Sequence, residues 1–174
     1  MPTENLIPNA AGTYENIANS TSGVGKHWQD VDDPIGTPDD NYTRVNTGND
    51  GVGQIDTYSL PNHSVGSGTI NSVTLHFRAK KDAVGAAKAR AVIRTHASQH
   101  YGDQEAITMS YANYSKAWTV NPVTTDPWTW DEVDDLEAGV TLEADASTWS
   151  YCTQVYVVVD YTPAPGRVRG YIIG

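Results

Sequence analysis

The sequence predicts an all-β protein, an antiparallel β-sandwich with one short helix, on three observations. Residues 152–161, C-T-Q-V-Y-V-V-V-D-Y, place Val155, Val157, Val159 and Tyr161 on one face and Gln154, Tyr156, Val158 and Asp160 on the other. β-branched and aromatic residues at period two mark a strand, and apolar bulk on both faces puts it centrally, covered by a second sheet. Ile70 to Lys80 alternates Val73, Leu75, Phe77 and Ala79 with Thr74, His76, Arg78 and Lys80, the pattern of a sheet with one solvated face. The composition is rich in Thr, Val, Tyr, Ser, Asn and Gly, which suits short strands and frequent turns. At 174 residues the chain is long enough to bury one real core.

Taken in order, residues 1–26 read as an N-terminal extended segment punctuated by Pro2, Pro8 and Gly12, with short strand candidates at Leu6–Ile7 and Thr13–Ile17. The sandwich domain is expected over 27–161. Trp28 and Val31 anchor its start, and strands are expected at Tyr42–Asn46 and Gln54–Leu60. Residues 70–80 and 87–96 then form an antiparallel hairpin. Its outer face would gather Arg78, Lys80, Lys88, Arg90 and Arg94, charges that guard an edge against pairing. A strand follows from Ile107 to Tyr111 or Tyr114, continuing at Ala117–Val120. Thr129 and Glu132 fit a capping box, acidic residues crowd the first turn where the helix dipole favours them, and Gly139 fits a C-terminal cap. A helix is therefore expected over about 130–138, with Trp130 and Val133 inward, and a strand at Val140–Leu142 precedes the central one. After Tyr161 the chain becomes T-P-A-P-G-R-V-R-G-Y-I-I-G, an extended Pro/Gly arm. Its apolar residues Val168, Tyr171, Ile172 and Ile173 need a partner, either the chain's own sheet edge or another subunit.

Charge and residue types narrow the chemistry. A net charge of −10 opposes binding to nucleic-acid phosphates or anionic membranes. No segment approaches the ~20 apolar residues of a membrane span, and no basic region followed by an apolar run marks an export signal. The single cysteine, Cys152, excludes an internal disulfide and reads as a small buried hydrophobe. The acidic group Asp30, Asp32, Asp33, Asp39 and Asp40 offers oxygen ligands on a turn-rich loop, which suits calcium; the alternative is a solvated loop whose aspartates cap turns. His27, His63, His76, His96 and His100 are scattered and complete no zinc set. No two carboxylates are placed as glycoside hydrolysis requires, so the expectation is a non-enzymatic protein. Trp118 and Trp128 lie near turns; they either stack on sugars or fill the ends of the core.

The order of motifs adds to this. H-W-Q-D-V-D-D (27–33), D-D-N-Y-T-R-V (39–45), D-T-Y-S-L (56–60), I-N-S-V-T-L-H-F-R-A (70–79), W-T-W-D-E-V-D-D-L-E-A-G-V (128–140) and the 152–161 strand follow one another. The series resembles β-sandwich proteins of tailed phages, prophages and environmental viruses, over about 27–161. The resemblance implies a jelly-roll-like sandwich and a virion role, such as capsid decoration, with no catalytic residue. The partners would be other subunits of the particle, the major capsid protein or a second copy, held through the terminal arms. The protein would be made in the host cytoplasm. Two further readings stand beside it: a carbohydrate-binding module for host recognition, with or without calcium, and a subunit of an extracellular filament or surface layer.

Overall fold

The computed structural model describes residues 1–40, 43–47, 53–65 and 67–165. In chain order its strands are β1 (Thr3–Leu6), β2 (Ala10–Glu15), β3 (Asn19–Ser20), β4 (Val45–Asn46), β5 (Gln54–Ser59), β6 (Gly68–Lys81), β7 (Ala87–Thr95), β8 (Ser98–Tyr101), β9 (Glu105–Ala106), β10 (Ala112–Trp118), β11 (Glu137–Ala144) and β12 (Ser150–Pro163). One helix, α1, covers Trp130–Asp134, and a 3-10 turn covers His27–Asp30. The first sheet runs β10-β6-β12-β4-β3, with β1 also on β12; the second runs β2-β5-β11-β7-β8, with β9 on β7. All pairings are antiparallel. The chain is the β-sandwich that the alternation predicts.

The core lies between the sheets and follows the period-two pattern residue by residue. Val73, Leu75, Phe77 and Ala79 of β6 and Val155, Val157 and Val159 of β12 are buried on one side; Ala138, Val140 and Leu142 of β11 and Ala89, Ala91 and Ile93 of β7 close the other. Small side chains on β7 leave room for the larger ones of β6, as close packing demands. β12 is central, as expected, with β6 on one side and β1 and β4 on the other. No helix among the described residues is long and apolar enough to cross a membrane.

Four expectations are corrected. Residues 70–80 and 87–96 do not form a hairpin: β6 pairs with β10 and β12, and β7 lies in the opposite sheet with β11, β8 and β9. Alternation tells which side chains point inward, but not which strand is the neighbour. The five basic residues therefore divide between two opposite faces. Within the N-terminal extended segment, β1 completes the first sheet and β2 the second. The helix ends at Asp134, and Gly139 lies inside β11. Glycine is required there because a Cβ would meet the Asp56 carbonyl oxygen at 1.9 Å. Residues Val168, Tyr171, Ile172 and Ile173 lie outside the described residues.

Candidate functional site

The outer face of the first sheet carries a strip of rings and cations. Its residues come from alternate positions of adjacent strands, so the pleat holds them on one side. Register places Asn113 of β10 opposite Arg78 of β6, Lys80 opposite Tyr151 of β12, and Tyr151 opposite Asn46 of β4. Tyr111, just before β10, completes the strip. The Lys80 ammonium lies 4.6 Å from the Tyr111 ring centre and 5.8 Å from that of Tyr151. The Arg44 guanidinium covers Tyr151 at 5.0 Å, and that of Arg78 covers Tyr111 at 5.5 Å. These separations fall within the range of cation–π attraction.

Hydrogen bonds fix the strip further. Arg78 donates Nε and Nη2 to Asp40 at 2.5 and 2.8 Å, and Nη1 to Asn113 at 3.1 Å. The fork on Asp40 raises the Arg78 pKa, as expected of a two-bond guanidinium–carboxylate pair. The Tyr151 hydroxyl donates to Asp82 at 2.9 Å. Burial, reinforced by Asp82, pushes its pKa up to about 12. Burial also raises that of Tyr111, so both phenols are neutral donors at pH 7. The Tyr111 hydroxyl is buried and has no hydrogen-bond partner among the described residues. Next along the strands, His76 and Tyr156 face each other and stack, centroids 4.8 Å apart and planes within 8°. Burial lowers the His76 pKa, which keeps its ring neutral.

Of the predicted site residues, Asp40 borders the strip through Arg78; the others fall elsewhere. Trp118 and Trp128 are 9% and 4% exposed and belong to the core, joined by a bond from Trp128 Nε1 to the Trp118 carbonyl. Of the two readings of these rings, their burial matches the one in which they fill the end of the core. The aspartates are likewise committed within the fold. Asp30 is fully buried; it accepts from the hydroxyls of Ser20, Thr21 and Ser22 at 2.5, 2.7 and 2.6 Å. Asp33 accepts the Asp39 amide at 2.7 Å, Asp39 accepts the Thr43 hydroxyl at 2.9 Å, and Asp40 holds Arg78. Burial, then neighbouring carboxylates, raise the pKa of Asp32 and of Asp33, against hydrogen bonds that lower them. Among the described residues no group of three or more His, Cys, Asp or Glu could hold a metal ion. The bonds of Asp30, Asp33 and Asp39 are those of turn-capping aspartates, the alternative reading of this loop. Cys152 is fully buried, its thiol pushed up to about 12 chiefly by burial.

A concavity of about 250 Å³ lies beside α1, lined by Thr95, His96, Asp131, Glu132 and Asp135. It contains no tyrosine or tryptophan, and Glu132 is engaged in the helix cap. Of the strip, alternation in the sequence places Arg78 and Lys80 outward. It gives no sign of Arg44, Tyr111 or Tyr151, because these meet only through the register of four segments.

No protein-family profile matches the chain, and no curated protein matches it. Among solved structures it is similar to CBM35 from Cellvibrio japonicus Abf62, at 12% identity and TM-score 0.46, over 95% of this chain and 98% of that one. It is similar to the CBM22-1 xylan-binding domain from Paenibacillus barcinonensis Xyn10C, at 11% identity and TM-score 0.43, over 90% and 96%. A family 35 carbohydrate binding module from an environmental isolate gives 13% identity and TM-score 0.41, over 95% and 100%. At these values the likenesses assign the chain neither a family nor a ligand.

Proposed function

We propose that the chain is a non-enzymatic recognition domain that binds carbohydrate across the outer face of the first sheet. The observation that supports this is the strip itself. Tyr111 and Tyr151 alternate with Arg44, Arg78 and Lys80, with Asn113 and the His76–Tyr156 pair alongside. Saccharides present hydroxyls that need oriented partners and C–H patches that need apolar contact. Rings and planar polar groups locked on a rigid sheet meet both needs with little ordering cost on binding. Polysaccharide affinity electrophoresis and a glycan array test this. Tyr151→Ala is expected to weaken binding about tenfold, the equivalent of ~1.4 kcal/mol, without loss of fold. Failure of the wild-type chain to bind any saccharide would sink the proposal.

A second reading, a structural subunit of a virus particle, is supported by the ordered motifs across 27–161. The anchors they contain, His27, Asp30, Trp128 and Cys152, are all buried, so the motifs describe a scaffold. The two readings are compatible, since a particle subunit can carry a saccharide-binding face. Mass spectrometry of purified particles tests the second; absence of the chain from them would exclude it.

A further inference from the structure

The geometry points to a homodimer formed edge to edge through β10, which joins the first sheets of two copies into one continuous sheet. Open sheet edges invite pairing, and natural proteins blunt them by shortness, bulges, prolines or inward charges. The other edges here are blunted. β3 and β9 have two residues each, β1 and β8 four each, and the pairing of β2 shifts register between Ala11 and Glu15. β10 is different: it runs seven residues, Ala112–Trp118, in unbroken register with β6. It contains no proline or glycine. Among the described residues, no backbone group from Ala112 to Ala117 bonds to anything beyond that ladder.

The sequence of β10 is also complementary to itself. In an antiparallel pair about a two-fold axis normal to the sheet, only residues on the same face can oppose each other. The register that pairs all seven residues centres on Ser115. It sets Ser115 against Ser115 of the second copy and Asn113 against Ala117. These are three small, exposed side chains. On the other face it sets Tyr114 against Lys116, twice, which matches a ring with a cation; Ala112 meets Trp118. The one charge on the strand, Lys116, now pairs with Asp103, which is 83% exposed, so the new contact exchanges a surface ion pair of little worth. The dimer would carry the two ring-and-cation strips on one face.

Light scattering on the size-separated full chain, with Ser115→Lys and Ser115→Cys, tests this. The wild type is expected at twice 18.8 kDa. Ser115→Lys would set like charges face to face and return the mass to one chain, with an unchanged circular dichroism spectrum. Opposed Cα atoms in such a pair are ~4.5–5.5 Å apart, within the ~4.4–6.8 Å that a disulfide spans. Ser115→Cys should therefore oxidise to a covalent dimer, while buried Cys152 does not compete. Should Ser115→Cys fold poorly, the Asn113→Cys, Ala117→Cys double variant reports the same register. A wild type that is monomeric at every concentration, or a dimer in which neither cysteine variant cross-links, overturns the proposal.

Discussion

His27 and Asp56 place two ionisable side chains where the alternation alone would put apolar ones. Asp56 lies on the inward face of β5, fully buried beside Tyr58. It accepts from the Ile17 amide at 2.8 Å and lies 2.7 Å from His27 Nδ1, with Glu15 3.7 Å from Nε2 on the far side of the ring. Burial disfavours the charged ring, but the hydrogen bond and charge of Asp56, helped by Glu15 and Asp30, outweigh it and raise the His27 pKa above 6.5. A raised histidine contributes stability that is complete below 6.5 and is lost as pH rises through its folded pKa. Removing one partner of a buried pair leaves the other charge uncompensated, at a cost of about 3–5 kcal/mol. His27→Ala is therefore expected to lose about that much in urea unfolding at pH 6. The wild type should weaken between neutral and alkaline pH, and the variant should not. A loss below about 1 kcal/mol would show that the pair does not hold the 16–31 segment, against the large cost expected for an orphaned buried charge.

At the scale of elements, the part of the sequence that could be read was the part that periodicity governs. β6 and β12 were legible because their inward residues are purely apolar over many alternations. α1 was legible from its cap: Thr129 accepts the Glu132 amide, and Glu132 reaches back to the Thr129 amide at 2.8 Å. Its end was not, since Leu136 is buried whether it follows a helix or a turn. The neighbour relations of β7, the inward Asp56 and the strip built on Arg44, Tyr111 and Tyr151 were illegible for one reason: each depends on contacts between segments far apart in sequence. A helix of five residues has little stability of its own, so its cap matters. Thr129→Ala should cost about 1 kcal/mol, read as a shift in urea midpoint with unchanged slope. No shift would mean that packing of Val133 and Trp130 alone fixes the helix.

For the whole molecule, Glu137 connects more of the fold than any strand pairing does. From β11 its carboxylate accepts the Thr13 amide and hydroxyl of β2 at 2.9 and 2.6 Å, the Thr57 hydroxyl of β5 at 2.6 Å and Arg94 Nη1 of β7 at 3.1 Å. One side chain thus spans four strands of the second sheet. Burial works against its charge, but the bonds from Thr13 and Thr57 and the charge of Arg94 prevail and lower its pKa below 4.5. A depressed carboxylate contributes stability that is present above 4.5 and lost as pH falls through its folded pKa. His76, lowered by burial, acts in the same direction, because its neutral folded ring loses ground to the protonated unfolded one below 6.5. His27 acts in the opposite direction at the alkaline end. Scanning calorimetry across pH 3–9 should therefore give a melting temperature that declines on both sides of neutrality. Glu137→Gln removes the charge while preserving the shape. Its melting temperature should lie below the wild type at pH 7, and the gap should close as pH falls below 4.5. A gap of constant size down to pH 3 would show that the ionised carboxylate is not what joins the four strands.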